Sequence, residues 1–275
     1  MRLHSRQSKN YYKLDDGILK ILAINSSHRG MKGYTQFLID KIFQGAREAG
    51  AECESMTLDQ QHIIPCIGCN VCQTEKHYLK CVFDDKDDVK IIFDNMRHAD
   101  LIIFATPVYE FAMSSKLKTL LERIHSTADA GDLKVSRSGM FSHAIDQDLC
   151  SKPFVTLICY DNIEDATPKN VISYFDTYSK FMDSPCRGHL VRNAGILTGH
   201  GKNPDREKAC PRIFQVYNAY VQAGRELATN GRISGSTLRK ANQEVVPVPL
   251  FKYLKHIKFL KPYMISKARD MMDKR

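Results

Sequence analysis

Four of the nine cysteines in this 275-residue chain fall within sixteen residues and could do inorganic chemistry together. Three are spaced by two residues in the stretch Pro65-Cys66-Ile67-Gly68-Cys69-Asn70-Val71-Cys72, and the fourth follows at Cys81. A cuboidal iron–sulfur cluster suits this spacing, because each of its iron corners takes one thiolate. A single zinc ion more often collects two distant C-x-x-C pairs, since three thiolates in one short run crowd one atom. The spacing therefore favours a [4Fe–4S] cluster on Cys66, Cys69, Cys72 and Cys81 over zinc and over unligated thiols.

A second polar stretch could bind phosphate. Residues 18–24 are a short apolar run typical of a buried parallel strand, and a turn rich in hydroxyls, glycines and cations follows. The start of a helix after such a turn attracts a phosphate through its backbone amides. The turn matches neither G-x-G-x-x-G nor G-x-x-x-x-G-K-[ST], which argues against a Rossmann dinucleotide site and a nucleoside triphosphatase. One monoester phosphate, as on FMN, fits better than either, and an ordinary capped turn is the alternative. The candidate binding residues are Ser26, Ser27, Arg29, Lys32, Tyr34 and Thr35.

The end of another apolar strand predicts the second half of a flavin site. Residues 101–105 form that strand, and the sequence predicts that it breaks at residues 106–109. Ligands of open α/β sheets bind outside the carboxyl ends of the strands. Backbone groups there could meet the polar edge of an isoalloxazine ring, and Tyr109 or Phe111 could lie against it, unless both simply pack under a lid. The candidate residues are Thr106, Pro107, Val108, Tyr109, Glu110 and Phe111.

Alternating strands and helices must position these residues. The apolar runs predict strands at 18–24, 53–58, 101–105, 154–159 and 190–197. Helical spacing predicts helices over 37–50, 84–97, 171–181 and 213–228, and another that Ser114 caps. This alternation predicts an α/β fold with a parallel sheet covered on both faces. Residues 126–151 show no period, which predicts a lid or mobile loop.

Composition narrows the class of protein. With 43% apolar residues the chain has ample material for a core. Cations interrupt the first twenty residues, so a signal peptide is not expected there, and no run is long enough to span a bilayer. An odd number of cysteines without such a signal indicates reduced thiols and a cytoplasmic protein.

The positive charge is concentrated at the end of the chain. Residues 232–275 carry 11 Lys or Arg and 3 Asp or Glu, a net +8 of the total +9.

The predicted organisation is a flexible lead at 1–16, one main domain at 17–231 and a basic amphipathic extension at 232–275, with Pro262 kinking or stopping its helix. The extension is expected to pack on its own or a neighbouring subunit; docking to an acidic redox partner or an anionic membrane is the weaker alternative. The near-neutral main body argues against a nucleic-acid partner.

Taken together, the motifs resemble those of the iron–sulfur flavoproteins, within the NAD(P)H-dependent FMN reductase group. The similarity covers roughly residues 18–126, with its motifs at 25–35, in the cysteine loop 65–81 and at 106–118, and it extends weakly to about residue 230. The resemblance implies a flavodoxin-like three-layer sandwich with a five-stranded parallel sheet in the order 2-1-3-4-5. It also implies an FMN phosphate at Ser26, Arg29, Tyr34 and Thr35, a flavin ring at 107–111 and a [4Fe–4S] cluster on the four cysteines.

The function implied by the resemblance is an FMN-dependent oxidoreductase. Electrons would pass between NAD(P)H or a ferredoxin-like donor, FMN and the cluster, in a protein expected to form homo-oligomers. The alternatives are an FMN-dependent quinone or flavin reductase with free or zinc-bound cysteines, and an electron carrier without a substrate of its own. No catalytic acid or base is nominated. Lys116, Lys118 and Arg123 are expected on the solvated side of a helix, and the strand order predicts that both cofactors share one rim of the sheet.

Overall fold

The computed structural model describes residues 17–195, 197, 211–246, 248 and 250–273. The predicted flexible lead at 1–16 lies outside the described residues, as do Cys210, Pro247 and Pro249.

Five parallel strands form the centre of the molecule. They are β1 (Lys20–Asn25), β2 (Glu52–Thr57), β3 (Leu101–Tyr109), β7 (Phe154–Cys159) and β8 (Cys186–Arg192). Their order in the sheet is β2-β1-β3-β7-β8, which confirms the predicted order 2-1-3-4-5. β1, β3 and β7 are buried along most of their length, which explains their continuous apolar runs. The fifth strand begins at Cys186 rather than at 190.

The predicted break in the third strand is wrong, because β3 continues through Pro107 to Tyr109. Its pairing with β1 ends at Ala105, whereas its pairing with β7 extends to Pro107 opposite Cys159. The backbone N–H and C=O groups of residues 105 and 107 point to the same side of β3, towards β1. Because the pairing with β1 has already ended at residue 105, the missing N–H of Pro107 costs the sheet no hydrogen bond. The strand therefore carries Pro107 and Tyr109 beyond the sheet edge on a rigid support.

The predicted loop at 126–151 is also ordered. It contains a separate antiparallel pair, β5 (Asp129–Val135) and β6 (Phe141–Ala144), and the short helix α4 (Gln147–Cys150). The register of the pair shifts between Asp129 and Leu133, and most side chains of β5 are exposed, so no alternating pattern marks these strands in the sequence. A two-residue strand, β4 (Ala112–Met113), pairs with the end of β3.

Helices cover both faces of the sheet. Besides α4 they are α1 (Tyr34–Glu48), α2 (Val89–His98), α3 (Ser115–Glu122), α5 (Lys169–Phe181), α6 (Pro211–Asn230), α7 (Gly235–Ala241), α8 (Phe251–Leu254) and α9 (Lys261–Asp273). One core gathers the apolar sides of α1 and α6, and the other gathers those of α2, α3 and α5. Ser114 caps α3 as predicted, since its hydroxyl accepts from the Leu117 amide at 3.3 Å. α2 begins at Val89 rather than at 84, because residues 82–86 form turns.

Helices α1 and α6 pack with their backbones in contact. A Cβ atom on Gly45 would overlap the carbonyl group of Val221, and one on Gly224 would overlap the carbonyl oxygen of Ile42. Glycine is therefore required at both positions for close approach rather than for a turn. This contact fixes the position of α1, whose first residues lie at the sheet edge.

The C-terminal extension packs on its own chain. Phe251 and Met264 are buried in the same core as α1 and α6. Helical spacing in the extension predicts a solvated side with Lys252, Lys255, Lys258 and Lys261. Lys255 is instead only 2% exposed, and its ammonium lies 2.7 Å from Asp165 Oδ1. Pro262 lies in the first turn of α9 instead of ending a helix, because that turn does not use its amide N–H. In the described part of the chain, no helix combines the length and apolarity that crossing a membrane requires.

Candidate functional site

A cleft of about 340 Å³ lies at the carboxyl ends of β1, β3 and β7. We call it the strand-end cleft. Most of the residues predicted for flavin binding line it, namely Ser27, Arg29, Tyr34, Thr35, Pro107, Val108, Tyr109, Glu110 and Phe111. The two predicted halves of the site therefore face one space, whose volume is in the usual range for small-molecule sites.

The turn after β1 is held in shape by its own polar groups. The Ser27 amide donates to Asn25 Oδ1 at 3.0 Å, and the Arg29 amide donates to Ser27 Oγ at 3.3 Å. Gly33 precedes α1, and a Cβ atom there would lie 3.0 Å from Ser27 Oγ. The positive end of the α1 dipole faces the cleft beside Arg29, and Gly33 has no side chain that could cap it. This arrangement favours an anion.

Three predicted binding residues lie outside the cleft lining. The Ser26 hydroxyl donates to the Ala105 carbonyl at 3.0 Å, which ties β1 to β3. The Thr106 hydroxyl accepts from the Ser114 amide at 2.9 Å and so fixes the start of α3. Lys32 is exposed at the end of a short 3-10 turn. Ser26 and Thr106 thus support the cleft from behind, whereas Lys32 has no contact with it.

The far edge of the cleft is an unusual turn between β3 and β4. Glu110 and Phe111 both have positive φ angles, 42° and 64°, which non-glycine residues rarely adopt. The Phe111 carbonyl accepts from Asn170 Nδ2 at 3.1 Å, which helps hold the turn. The Phe111 side chain is 61% exposed, and Tyr109 is 41% exposed. Two aromatic rings are thus presented at the mouth of the cleft, where a flat ligand ring could stack.

Sequence reasoning missed the third wall of the cleft. It consists of Leu38, Cys159, Tyr160, Asp161, Asn162, Thr167, Arg192 and Gly195. Most of these residues follow β7 or end β8, so the strand-end rule applied to the fourth and fifth strands would have found them. Burial raises the pKa of Cys159 and that of Tyr160 to about 12 each, so both side chains are neutral near pH 7.

The four cysteines predicted to ligate a cluster line a second, smaller cavity of about 20 Å³. We call this cavity the cysteine nest. All four thiols are free. No three His, Cys, Asp or Glu side chains of the described residues are grouped so that they could hold one metal ion. A cuboidal cluster takes one thiolate at each of its iron corners, and the four cysteines that line the cavity supply that number.

The cysteine loop is held by side-chain clamps rather than by regular structure. Three of its residues adopt positive φ angles, Gly68 at 65°, Asn70 at 55° and Leu79 at 56°. The Gln73 amide donates to the Ala128 carbonyl at 2.7 Å and accepts from the Ala130 amide at 2.9 Å. These bonds attach the loop to the β5–β6 hairpin, so the hairpin helps to shape the nest.

Arg123 forms part of the nest wall, contrary to its expected place on a solvated helix side. It follows the last residue of α3 and is only 1% exposed. Its Nη1 donates to the Ile64 carbonyl at 2.9 Å and to Asp87. Burial raises the pKa of the Cys81 thiol, and the Arg123 charge opposes that rise. A buried arginine cannot be distinguished from an exposed one by helical spacing alone, so no signal in the sequence identified it.

Lys116 and Lys118 differ from Arg123. Lys116 Nζ donates to the Leu58 carbonyl at 3.1 Å near the end of β2. Lys118 pairs with Glu122 at the surface of the helix, as expected.

The cleft and the nest do not share a rim, which corrects the predicted arrangement. They have no lining residue in common among the described residues. Helix α3 starts beside the cleft, where Ser114 contacts Thr106, and Arg123 lies eight residues beyond Ser115. At 1.5 Å per residue this separation is about 12 Å along the helix. The loop after β2 descends beside α3 before the first cysteine, so the nest lies at the other end of that helix.

Comparisons with known proteins find one matching family and several curated relatives. Residues 19–142 match the model of the family described as NADPH-dependent FMN reductase. An iron–sulfur flavoprotein of Methanocaldococcus jannaschii is 37% identical over 106 residues, which are 38% of this chain and 51% of that protein. An iron–sulfur flavoprotein of Clostridioides difficile is 24% identical over 203 residues, 73% of this chain and 77% of that protein. The chain thus spans about half the length of the first of these curated relatives.

A solved structure confirms the fold. The FMN-dependent NADH-azoreductase of Bacillus anthracis, solved in complex with FMN, superposes with a TM-score of 0.53 at 13% identity. The match covers 77% of this chain and all of that one (100%). At this identity the likeness establishes the flavodoxin-like α/β architecture and nothing further. Residues 19–142 are thus similar to the NADPH-dependent FMN reductase family, the chain is similar in sequence to curated iron–sulfur flavoproteins, and its fold is flavodoxin-like.

Proposed function

We propose that this protein is an FMN-dependent oxidoreductase that holds FMN in the strand-end cleft and a [4Fe–4S] cluster in the cysteine nest. Electrons would pass between NAD(P)H or a ferredoxin-like donor, the flavin, the cluster and an acceptor. The observation that carries the proposal is that four free cysteines line one cavity, in a chain whose residues 19–142 match the NADPH-dependent FMN reductase family. FMN and the cluster would supply the two-electron and one-electron chemistry.

The residues of the cleft would bind and orient the flavin. Ser27 and Thr35 would donate hydroxyls to its phosphate, and Arg29 would add a positive charge at the start of α1. The rigid extension of β3 at Pro107 would place backbone groups against the polar edge of the ring. The exposed rings of Tyr109 and Phe111 leave one side open to a flat redox partner such as a nicotinamide or quinone. Cys159 and Tyr160 stay protonated near pH 7, so neither serves as a base.

The residues of the nest would bind the cluster as thiolates. Cys72 is buried, Cys66 and Cys81 are half-buried and Cys69 is exposed, so one ligand stands at the surface. An exposed corner suits a group that exchanges single electrons with a partner protein. A ferredoxin-like donor or acceptor is therefore proposed to approach from the Cys69 side.

A cluster-free FMN reductase acting on quinone or free flavin is the second candidate. The separation of nest and cleft along α3 favours it, because a cleft that shares no wall with the cysteines can act without them. A pure electron carrier is the third candidate and requires both cofactors but no substrate turnover.

The deciding experiment is a determination of flavin, iron, sulfide and zinc per chain in protein purified without oxygen. The proposal requires one FMN together with four iron and four sulfide, as the cluster's composition dictates. Stoichiometric FMN without iron, or with one zinc, would replace it by the second candidate. Steady-state oxidation of NADH and NADPH with a quinone then separates an enzyme from a carrier, since a carrier reacts once and stops.

Two further proposals concern the setting of the protein. The eight described cysteines are all free, which suits the reducing cytoplasm. A homo-oligomer is proposed because Leu133, Val135 and Phe141 of the β5–β6 hairpin are exposed apolar side chains on one element. Light scattering of the holoprotein would test it, and a monomer at micromolar concentration would contradict it.

A further inference from the structure

We infer that Arg123 is the positioning residue of the cysteine nest, with its Nε–H and Nη2–H groups donating to cluster or cysteine sulfur and thereby raising the reduction potential of the cluster. This inference rests on the proposed function, because it presumes that the nest holds a [4Fe–4S] cluster. It concerns a residue that supplies no bond to iron.

Without such an acceptor, two of the nitrogen atoms of Arg123 have no hydrogen-bond partner. A guanidinium carries five N–H donors. Nη1 is used by the Ile64 carbonyl and by Asp87. Nε and Nη2 are both buried, and neither has a hydrogen-bond partner in the described structure. Nη2 does lie 3.5 Å from Asp84 Oδ1, which is within ion-pair range but too far for a good hydrogen bond.

Buried donors without acceptors are rare in folded proteins and call for an explanation. Here both donors belong to a residue that lines the nest. The guanidinium carbon lies 5.6 Å from the centre of the Phe83 ring, whose contact helps to hold it in place. The unmet donors therefore belong to a side chain that lines the same cavity as the four cysteines.

The charge of Arg123 matches what a cluster would bring. A [4Fe–4S] cluster with four thiolates is an anion, and its one-electron reduction adds a further negative charge. A nearby cation stabilises the reduced form more than the oxidised form, and hydrogen bonds to sulfur act in the same direction. The electron itself would come from the flavin or from a partner protein.

Other polar groups near the nest are already engaged. The nest is lined by one Lys or Arg among the described residues, and that residue is Arg123. His125 Nε2 lies 3.1 Å from Asn70 Oδ1 and so holds the loop. Asp87 accepts from the Ile64 amide at 3.0 Å and from the Val89 amide at 3.2 Å, so it anchors the chain beside the nest.

The test compares three variants of the anaerobically purified holoprotein with the wild type. Arg123→Met combined with Asp87→Asn removes the buried pair together, so that the fully buried carboxylate of Asp87 is not left unpaired. Arg123→Lys keeps the charge but cannot present two donors in a planar fork. Lys118→Met is the matched control, because it removes an exposed cation from α3, the helix that ends just before Arg123. The readouts are iron and sulfide per chain and the cluster potential from spectroelectrochemical titration.

The double variant loses one positive and one negative charge together, so it tests the loss of the hydrogen-bond donors to sulfur. It is expected to lower the equilibrium constant for cluster reduction at least about tenfold, a shift of about 59 mV to more negative potential for a one-electron couple. Arg123→Lys should fall between the double variant and the wild type, and Lys118→Met should match the wild type. Loss of the cluster from an otherwise folded double variant that keeps its FMN would also support the inference.

A wild-type potential and wild-type iron content in the double variant would overturn the inference. If the double variant does not fold, Arg123→Lys decides. Wild-type values for both its cluster potential and its iron content would then overturn the inference. A wild-type protein without iron would instead refute the proposed cluster itself, so the two failures give different results.

Discussion

The strand-end cleft and the cysteine nest are built in opposite ways. The cleft is an open space of about 340 Å³ whose walls continue regular strands. The nest is a small cavity of about 20 Å³ in an irregular loop, closed by the end of α3. The regular sheet preforms the cleft, because any sheet of this topology leaves a crevice where the strand order reverses. The second depends on individual side chains that clamp one loop.

The two sites also depend on different faces of the sheet. Tyr34 and Thr35 of the cleft begin α1, which belongs to the core shared with α6. Arg123 of the nest follows α3, whose apolar side belongs to the other core. Damage to one site should therefore leave the other largely intact, and the following changes test that independence.

The largest effect is expected from Cys72→Ser. Cys72 is the most buried of the four nest cysteines, and a serine oxygen is a poor substitute for a thiolate ligand of iron. We expect iron and sulfide per chain to fall by at least about tenfold while FMN content stays at the wild-type level. Iron, sulfide and flavin analyses of anaerobically purified protein measure both.

The control is Cys53→Ser, which changes a cysteine of β2 outside the nest. It should keep its iron. Equal iron contents in Cys72→Ser and the wild type would show that the nest is not a ligand set, and a parallel loss of FMN would show that the two sites are not independent.

The converse change is Arg29→Met in the cleft. A hydrogen bond to a charged group contributes about 1.5–3 kcal/mol, so FMN affinity should fall by about ten- to hundredfold. Iron content should not change, because Arg29 lines the cleft and not the nest. Fluorescence titration of the flavin-free protein measures the affinity. Lys90→Met, an exposed cation on α2, is the control and should bind FMN normally; an unaltered affinity in Arg29→Met would remove Arg29 from the phosphate site.

These two sites differ in how far the sequence predicts them. The strand order and the turn at Ser27 and Arg29 follow from apolar runs and a rule about strand ends, both of which are local patterns. Tyr160 and Asp161 obey the same rule and were missed because it was applied to two strands only. The cysteine spacing predicted one shared site for four thiols, and the four cysteines line one cavity.

Other parts of the nest could not be predicted from local patterns. Arg123 is buried because the cysteine loop folds over it, a contact between residues about 40–60 positions apart in the chain. The β5–β6 strands are exposed and irregular, so they carry no alternation. Helical spacing likewise places Lys255 with the solvated lysines, because its partner Asp165 lies 90 residues away. Long-range pairing of charges leaves no periodic trace.

A smaller effect is expected from Gly224→Ala, which should disturb the site on one face of the sheet and leave the site on the other face unchanged. The added methyl group would overlap the Ile42 carbonyl and push α1 away from α6. Overpacking of this kind typically costs about 1–3 kcal/mol of the free energy of unfolding. FMN binding should weaken because α1 carries Tyr34 and Thr35, whereas iron content should hold.

Thermal and denaturant unfolding measure the stability of this variant. Gly235→Ala is the matched control, because a Cβ atom there meets nothing closer than an Arg239 side-chain nitrogen at 3.7 Å. A Gly224→Ala protein as stable as this control would show that α1 and α6 are not as close as the structure has them. A loss of iron from it would contradict the independence of the two faces.

The smallest effect concerns the attachment of the cysteine loop to the hairpin. Tyr78 donates to Asp129, and this bond, with that from the Gly131 amide, holds the pKa of Asp129 below its usual 3.8. Because the pKa of Asp129 is lower in the folded state, the bond stabilises the folded protein fully at pH values above the pKa of the unfolded state. This stabilisation is lost as the pH falls through the pKa of the folded state. Both side chains are at the surface, so the contribution is small, and Gln73 should still hold the loop.

Acidification from pH 6 to below pH 4 should therefore raise the hydrogen-exchange rate of residues 66–81, relative to the intrinsic rate, more than that of the cleft residues 107–111. Asp129→Asn should exchange faster in this loop at pH 6 and respond less to acid, because the titrating group is gone. Tyr78→Phe is the partner control and should behave in the same way. An acid response of the loop that persists unchanged in Asp129→Asn would mean that another group controls it. Equal responses of loop and cleft in the wild type would mean that the nest is no more dependent on individual side-chain clamps than the cleft is.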